Sequence, residues 1–319
     1  MLKFDQNIEL RNSSNDLFMA GEILIDMISE DYNDDFTCRT YQQFFGGSPS
    51  NIAMNAQKLG VRAVVASVVG EDGLGNFLIN ELKSAGIDTG CIQRTAEGST
   101  SMVVVTKSQS TPIPVFYRGA DYRLSYTEAL EEALINSKIV HFSCWPLSRK
   151  PARDTIEKII SKAKMNDLLV CFDPNYHPML WEAGDDGIQY VKSMIGKVDI
   201  VKPSEDDAER LFGTHTPEQY IEMFLKLGVK LVILTLGKDG ALVSNGMETV
   251  RFSSFATEVA DTTGAGDAFW SGFYAATVKG YTIREALSLG FAVSAYKLKY
   301  TGAIVDLPKM EVIQEIYGL

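Results

Sequence analysis

The segment D-T-T-G-A-G-D-A-F, residues 261–269, places small residues between two carboxylates directly before an apolar run. Gly264, Ala265 and Gly266 lack bulky side chains, so their backbone N–H groups can approach an anion closely. A helix predicted at 267–279 would add the partial positive charge of its N-terminus. The segment therefore predicts a phosphate-binding loop. Asp267 is placed either to cap the helix or to accept a proton from a substrate hydroxyl.

A second polar cluster lies in F-F-G-G-S-P-S-N-I-A, residues 44–53, just before a predicted helix. Gly46 and Gly47 would let the backbone approach a polar ligand, and the Asn51 amide can donate and accept hydrogen bonds to hydroxyl groups. Taken alone, a glycine pair before a helix also fits an ordinary turn. Together with the first segment, the cluster indicates a site for a hydroxyl-rich ligand.

Two common nucleotide signatures are excluded. The P-loop pattern G-x-x-x-x-G-K-[ST] occurs nowhere in the chain. The dinucleotide pattern G-x-G-x-x-G fails because Phe269 stands where the third glycine would be, and because the segment opens the last long helical part rather than the first β-α unit. A bound nucleotide would therefore need another kind of site.

Strands alternate with helices along most of the chain, which predicts an α/β fold with a parallel sheet covered on both faces. A buried strand is predicted at 17–28, interrupted by Glu22 and Asp26. Further strands are predicted at 61–69, 139–143, 168–173, 199–202 and 230–235, and helices at 51–59, 73–84, 151–164, 187–195, 205–211, 217–227 and 267–279. Segments 100–106 and 113–117 break the alternation and predict a β hairpin, and the part after Gly264 is predicted to be nearly all helix.

Composition limits the class of protein. The 319 residues carry a net charge of −11, which argues against a nucleic-acid partner. The polar N-terminus does not resemble a signal peptide, and no apolar run reaches the length of a membrane-spanning helix. Four widely spaced cysteines contain no C-x-x-C pair, so we expect buried free thiols in a reducing cytoplasm.

These two segments, in this order and at this separation, resemble the two signatures of the PfkB family of ribokinase-like carbohydrate kinases. The resemblance extends along nearly the whole chain, through G-E-x-L-I-D (21–26), V-G-E-D-x-x-G (69–75), F-Y-R (116–118), D-P-N (173–175) and T-L-G-x-x-G (235–240). It implies a single ribokinase-like domain over 1–319, with three layers around a mostly parallel sheet. A small β-sheet lid is expected from insertions around 30–46 and 91–120.

The resemblance also implies roles for particular residues. Asp267 corresponds to the catalytic base that takes the proton from a sugar hydroxyl, and Gly264, Ala265 and Gly266 to the anion hole for the transferred phosphoryl group. The expected substrate-binding residues are Asp26, Gly46, Gly47, Asn51, Arg118, Asn175 and Asp267. For Arg118 the alternative is a solvated strand arginine, and for Asp26 a strand-end aspartate in solvent.

ATP and Mg²⁺ are the implied cofactors. The expected nucleotide contacts are Ser204, Thr235, Gly237, Gly240, Gly266 and Ala292, the last in a helix whose alternative role is core packing. Where the family commonly has N-x-x-E, this chain has Ser204-Glu205-Asp206-Asp207, which leaves either Glu205 or Asp207 as the magnesium-linked carboxylate. Asp261 is the expected place for a potassium ion, which activates some relatives.

The motifs resemble the fructokinase subgroup most, which implies phosphorylation of a primary hydroxyl of D-fructose. 2-Keto-3-deoxygluconate kinase shares much of the pattern and is the alternative, as is a catalytically silent sugar-binding relative. His177 stands where an arginine often follows D-x-N-x, which favours a neutral sugar over a sugar acid. The lid is expected to pair two subunits in a homodimer, and neither nucleic acid nor membrane is expected as a partner.

Overall fold

The computed structural model describes residues 2–32, 36–107 and 114–319. Within these residues the chain forms two sheets. The strands of the larger sheet are β1 (Leu17–Ala20), β4 (Ala63–Gly70), β5 (Ile92–Thr95), β8 (Ile139–Ser143), β9 (Leu169–Asp173), β10 (Ile200–Val201), β11 (Leu231–Thr235), β12 (Ala241–Ser244) and β13 (Thr249–Phe252). Those of the smaller sheet are β2 (Leu24–Tyr32), β3 (Tyr41–Gly46), β6 (Met102–Lys107) and β7 (Val115–Tyr117).

The helices follow the strands as predicted for an α/β fold. They are α1 (Ser48–Lys58), α2 (Gly73–Ser84), α3 (Glu128–Ile135), α4 (Cys144–Leu147), α5 (Ala152–Met165), α6 (Gly187–Ile195), α7 (Glu205–Phe212), α8 (Pro217–Lys226), α9 (Ala265–Val278), α10 (Ile283–Lys297) and α11 (Met310–Tyr317). The prediction that the part after Gly264 is nearly all helix is confirmed.

The larger sheet has the strand order β13-β12-β11-β10-β9-β8-β1-β4-β5. Its neighbours pair in parallel from β5 to β11, and β12 and β13 add an antiparallel edge. β4 is buried along its whole length, because helices cover both faces of the sheet. The predicted mostly parallel sheet is confirmed, although the sequence did not reveal the β12–β13 hairpin or the short β5.

Two apolar layers hold the helices on the sheet. On one face the core includes Ile52 of α1, Phe273 of α9 and Leu287 of α10. On the other face it includes Ile156 of α5 and Phe224 of α8. Each layer buries its apolar side chains completely at these positions, so the sheet lies between two helical layers. This is the three-layer ribokinase-like fold that the resemblance implied.

The segment 17–28 forms two strands in different sheets, so the prediction of one continuous strand was wrong. Strand β1 ends just before Gly21, which has a φ of +154°. A Cβ at this position would lie 2.8 Å from Pro49 Cγ. β1 therefore stays in the larger sheet, while β2 enters the smaller one. Glu22 lies at the crossing, and Asp26 lies on the smaller sheet.

The smaller sheet is the predicted lid and has the order β3-β2-β6-β7. β6 and β7 pair antiparallel, as expected for the hairpin; Ile113, the first residue of its predicted second strand, lies outside the described residues. The expected lid segment 91–120 is too wide at its start, because β5 pairs with β4 of the larger sheet.

Within the described residues no helix is long and apolar enough to cross a membrane. All four cysteines are free thiols; Cys91, Cys144 and Cys171 are buried, whereas Cys38 is partly exposed and departs from the expected burial.

Candidate active site

Polar side chains gather where the parallel strands of the larger sheet end. Glu22 follows β1, Ser143 ends β8, Asp173 ends β9, Lys202 follows β10 and Thr235 ends β11. Ligands of open α/β sheets bind beyond the carboxyl ends of the strands, because the loops there enter the helices. The topology therefore brings residues from five distant parts of the chain to one edge.

Helix α9 begins at this edge, two residues earlier than predicted. Its N-cap is Gly264, which has a left-handed φ of +73° and packs so closely that a Cβ would lie 2.5 Å from Ala303 Cβ. Ala265 and Gly266 therefore belong to the first turn, and Asp267 is the third helical residue rather than the cap. The Ala265 N–H donates to the Thr262 carbonyl at 3.2 Å. The following N–H groups of the first turn have no acceptor within the helix and can face an anion.

The Asp267 carboxylate is held by two side chains from the start of α1. Ser48 Oγ donates to Asp267 Oδ1 at 2.6 Å, and Asn51 Nδ2 donates to Oδ2 at 3.0 Å. Burial raises the pKa of Asp267 to about 6; the charge of Asp173 adds to the rise, and the two hydrogen bonds oppose it. A buried, oriented carboxylate with a pKa near the working pH is suited to act as a general base.

Two further carboxyls lie close enough to Asp267 for their charges to interact. Burial, with a smaller contribution from the charge of Asp267, raises the pKa of Glu22 to about 8 and that of Asp26 to about 7. Glu22 accepts hydrogen bonds from the Ser48 N–H at 3.1 Å and from Ser143 Oγ at 3.2 Å. The site is therefore rich in acids that hold protons near neutral pH.

Both glycines of the second signature have a steric reason to be glycine. A Cβ on Gly46 would lie 2.3 Å from Asp26 Oδ2, and one on Gly47 would lie 2.4 Å from the Glu22 carbonyl oxygen. Gly47 also has a left-handed φ of +106° and caps α1. The absence of side chains at Gly46 and Gly47 lets β3 and the start of α1 pack against Asp26 and Glu22, which lie close to Asp267.

Lys202 and Asp173 form a buried ion pair beside the start of α9. Lys202 Nζ lies 2.8 Å from Asp173 Oδ2, which also accepts a hydrogen bond from Trp270 Nε1 at 2.8 Å. A Cβ on Gly266 would lie 3.2 Å from Lys202 Nζ, so the ammonium adjoins the predicted phosphate loop. The sequence analysis missed Lys202, Ser48 and Glu22 as site residues; a lysine directly after a buried strand was the available signal for Lys202.

Two buried oxygen atoms at this edge have no hydrogen-bond partner within the described residues. They are Asn51 Oδ1 and Asp173 Oδ1. Buried polar groups in proteins are nearly always paired, so an orphaned acceptor needs an explanation such as a missing ligand. Asn51 donates a hydrogen bond to Asp267 through its Nδ2. Asp173 pairs with Lys202, whose charge acts on Asp267. Each of these oxygen atoms can accept a hydrogen bond from a ligand hydroxyl or from water.

A cavity of about 430 Å³ opens on the other side of the α9 N-terminus. Of the predicted nucleotide contacts, Thr235, Gly237, Gly240 and Gly266 line it, together with the predicted anion-hole residue Ala265. Phe255, Phe269 and Phe291 add aromatic walls that suit a flat base. Ala292 is fully buried in the core instead, and Phe291, Ser294 and Ala295 present that helix to the cavity. A larger cleft of about 810 Å³ includes Leu169 and Lys230 at the starts of strands, away from this edge.

Ser204 and Asp207 form the capping box of α7. Asp207 Oδ2 accepts from the Ser204 N–H at 3.0 Å and from Ser204 Oγ at 2.7 Å, and Oδ1 accepts from the Tyr176 N–H at 2.7 Å. Burial raises the pKa of Asp207, with a contribution from the charge of Asp173. Glu205 is exposed. In the described ranges no three or more His, Cys, Asp or Glu residues form a metal cluster, so these residues fit only a Mg²⁺ held mainly by water and phosphate.

The Arg118 guanidinium is fully engaged within the protein. Its side chain is 3% exposed and pairs with Asp121, while its other N–H groups donate to Ser148 Oγ and to the carbonyls of Trp145 and Leu180. A guanidinium has five N–H donors, and these contacts use all of them. The structure therefore places Arg118 in a network that braces the lid, whereas Asn175 is exposed with a left-handed φ of +40°.

Asp261 anchors the loop that leads to Gly264. Its carboxylate accepts from the Thr263 N–H at 2.9 Å and from the Gly302 N–H at 2.8 Å, which lowers its pKa against the effect of burial. Its carbonyl accepts from Lys297 Nζ at 2.7 Å. A lysine ammonium thus lies where a potassium ion was expected.

A buried carboxylate in the first turn of a helix, a buried lysine and an adjoining aromatic cavity fit an enzyme of the phosphoryl-transfer class on a ribokinase-like fold. The sequence profile of the pfkB family carbohydrate kinases matches residues 14–310. The chain belongs to this family and is an ATP-dependent carbohydrate kinase.

Three similar proteins are a 6-phosphofructokinase and two fructokinases. An ATP-dependent 6-phosphofructokinase of Thermoanaerobacterium thermosaccharolyticum is 57% identical over 100% of this chain and 99% of its own. The fructokinase structure of Halothermothrix orenii is 44% identical, with a TM-score of 0.80 over 86% of this chain and 97% of its own. A double-mutant fructokinase of Vibrio cholerae O395, solved with fructose, ADP and a potassium ion, is 25% identical, with a TM-score of 0.82 over 96% of this chain and 99% of its own.

Proposed function

We propose that this kinase transfers the γ-phosphoryl group of ATP to a primary hydroxyl of D-fructose, giving fructose 6-phosphate. The observation that carries the proposal is the position of Asp267, buried between Ser48 and Asn51 at the start of α9. On one side lie the orphaned Asn51 Oδ1 and the acids Glu22 and Asp26, which suit hydroxyl groups. On the other side lies the aromatic cavity, which suits adenine.

In the proposed reaction Asp267 takes the proton of the acceptor hydroxyl as its oxygen attacks the γ-phosphorus. The bond between that phosphorus and the β,γ-bridging oxygen breaks, and the electron pair leaves with ADP. First-turn N–H groups of α9 and the Lys202 ammonium stabilise the charge on the transferred group. Mg²⁺, when bound with the nucleotide, neutralises phosphate charge. Asp26, Gly46, Gly47 and Asn51 hold the sugar, and closure of the lid excludes water.

Charge favours a neutral acceptor. The ionised Asp267 carboxylate would repel an acidic sugar, and a buried anion needs a cationic partner. Three buried basic side chains of this region have acidic partners: Lys202 pairs with Asp173, Lys297 with Asp261 and Arg118 with Asp121. The segments outside the described ranges, 33–35 and 108–113, contain no basic residue. These pairings argue against 2-keto-3-deoxygluconate as the acceptor.

Fructose 6-phosphate is a second candidate, favoured by the relative that is 57% identical over the whole chain. Its free C1 hydroxyl is also primary, so the same base and phosphate loop would serve. Binding the 6-phosphate would require a cation other than Lys297 and Arg118, which are engaged with Asp261 and Asp121. The two candidates therefore differ in charge at the end of the sugar remote from Asp267.

The test compares kcat/KM for fructose, fructose 6-phosphate and 2-keto-3-deoxygluconate at fixed ATP and Mg²⁺, with ADP release as the readout. We expect the highest value for fructose. A higher value for fructose 6-phosphate would transfer the assignment to a phosphofructokinase and leave the mechanism intact. If no sugar stimulates ADP release while sugar still binds calorimetrically, the chain is a silent sugar-binding protein and the proposal fails.

We also propose a homodimer that forms through the lid. Tyr32 on β2 and Val115 and Tyr117 on β7 are exposed apolar side chains on the small sheet, and such patches mark contact surfaces. Light scattering should give twice the chain mass, and Tyr117→Lys should shift it towards the monomer. A monomeric wild-type protein at micromolar concentration would contradict this.

The cytoplasmic location predicted from the sequence agrees with the four free cysteines.

A further inference from the structure

Lys297, the last residue of α10, has a completely buried side chain. Its Nζ donates to the Asp261 carbonyl oxygen at 2.7 Å and lies 3.9 Å from Asp261 Oδ2. Removing an ammonium group from water costs several kcal/mol unless it is well paired. Burial accordingly lowers the pKa of Lys297, and the charges of Asp261 and Asp267 oppose that effect. The position of this charge therefore needs a reason beyond core packing.

The residue that Lys297 contacts joins three segments around the phosphate-binding loop. Asp261 holds the Thr263 N–H and the Gly302 N–H through its carboxylate, and the preceding Ala260 N–H donates to the Leu298 carbonyl at 2.7 Å. Gly264, three residues further on, packs directly against Ala303. A shift of Asp261 would therefore move both the loop 261–264 and the segment 298–303, which together fix the position of the start of α9.

A potassium ion at Asp261, as expected from the family resemblance, does not fit this chain. Potassium binds through carbonyl and carboxylate oxygens, and here the Asp261 carbonyl already accepts a hydrogen bond from an ammonium. A second positive charge a few Å from Lys297 Nζ would be repelled, and burial weakens the screening of that repulsion. The potassium-bound Vibrio cholerae fructokinase shows that a related enzyme can hold this ion.

We propose that the Lys297 ammonium acts as a tethered monovalent cation that positions the phosphate-binding loop and makes turnover independent of potassium. Lys297 is a positioning residue, because it acts on the anion hole through Asp261 and contacts neither reacting group. Because the ammonium is covalently attached, it occupies the site at all times, whereas the occupancy of the site by a free ion would depend on the ion concentration. This proposal rests on the kinase activity proposed above.

The first experiment varies the cation at constant ionic strength. Wild-type kcat should be the same in potassium chloride and in tetramethylammonium chloride, whose cation is too large for the site. Lys297→Ala should lower kcat about tenfold to a hundredfold in tetramethylammonium, because displaced catalytic groups cost that much, while the KM for the sugar changes little. Potassium or ammonium chloride should restore much of the loss, because the truncated side chain leaves room for an ion.

Two variants serve as controls. Lys299→Ala removes the same charge two residues later, where Nζ lies over the Tyr317 ring, and should leave kcat unchanged in either salt. Lys297→Met keeps most of the side-chain volume without the charge, so it should lose activity without rescue by potassium. Rescue confined to Lys297→Ala is an effect that a merely structural lysine would not produce.

The melting temperature and MgADP affinity provide readouts that do not depend on sugar turnover. Potassium should raise the melting temperature of Lys297→Ala and leave that of the wild-type protein unchanged. If the wild-type protein phosphorylates no sugar, the proposed function fails while this cation response still tests Lys297. Potassium activation or stabilisation of the wild-type protein would overturn the inference, as would a Lys297→Ala protein with normal kcat and no response to potassium.

Discussion

Ser48 Oγ donates a 2.6 Å hydrogen bond to Asp267 Oδ1 across 219 residues of sequence. This contact joins α1, which follows lid strand β3, to the first turn of α9, and so connects segment 44–53 to segment 261–269. It also gives the candidate base a fixed direction, because Asn51 holds the second carboxylate oxygen. Acceptor binding and proton transfer thus depend on the same pair of helix N-termini.

Asp267→Asn should lower kcat roughly 10²- to 10⁴-fold, because the amide cannot accept the hydroxyl proton. The fold should persist, since Ser48 can still donate to the remaining oxygen and the unpaired Asn51 Oδ1 can accept from the new amide. Steady-state kinetics and thermal melting measure the two effects separately. The exposed Asp5→Asn is the charge-matched control. Turnover close to that of the wild-type protein would remove Asp267 from the mechanism.

Ser48→Ala should move the acid limb of the pH–rate profile to higher pH. Burial raises the pKa of Asp267 to about 6, and the hydrogen bond from Ser48 opposes that rise. Wild-type kcat/KM should therefore fall as the pH drops through about 6, and the variant should lose activity at a higher pH because its base protonates sooner. The exposed Ser161→Ala should follow the wild-type profile. An unchanged limb in Ser48→Ala would show that another group controls the profile.

Glu22→Gln should reduce the loss of stability at alkaline pH. The pKa of Glu22 is raised by burial to about 8 from an ordinary 4.5, so the folded state keeps a proton that the unfolded state releases between these values. The stability that neutral Glu22 contributes is complete below the ordinary pKa and is lost as the pH rises through about 8. Glutamine cannot ionise and can keep both hydrogen-bond partners.

The measurement for Glu22 is urea unfolding at about pH 5 and about pH 9, where linkage predicts the largest difference between the proteins. The wild-type free energy of unfolding should fall more over this interval than that of Glu22→Gln. The exposed Glu9→Gln should behave as the wild-type protein does. Equal pH dependence in all three proteins would mean that Glu22 ionises normally.

Gly264→Ala should impair catalysis more than stability. The φ of +73° costs an alanine roughly 1–2 kcal/mol, and its Cβ would lie 2.5 Å from Ala303 Cβ, so the start of α9 must move. Gly280→Ala is the matched control: it follows the same helix with φ of +81° but meets no atom within 4 Å. Gly280→Ala should lose only the stability that the positive φ costs, Gly264→Ala should lose more because of the contact with Ala303, and only Gly264→Ala should lose kcat. Equal kcat values would contradict the phosphate-loop interpretation.

The sequence alone determined the fold class and the two signatures of the site. Alternating apolar strands and helices specify a covered parallel sheet, because their periodicity fixes which faces must be buried. The small residues at 264–266 and the aspartate after them also follow from local chemistry, since a phosphate needs close N–H groups. The break at Gly21 could not be recognised, because an apolar run on both sides of a glycine has the same pattern in one strand as in two.

Only the tertiary structure decided which partners each site residue has. The partners of Arg118 could not be read from the sequence, and in the structure its N–H groups donate to Asp121, Ser148 and neighbouring carbonyls. Lys202 and Lys297 lie in ordinary segments of the sequence, yet the fold buries both ammonium groups beside the α9 N-terminus. Local patterns specify backbone geometry within a few residues, whereas the ammonium groups of Lys202 and Lys297 are paired with acids that the fold brings from tens of residues away. The partners, and hence the pKa values and the cation at Asp261, therefore depend on the sheet order rather than on any single motif.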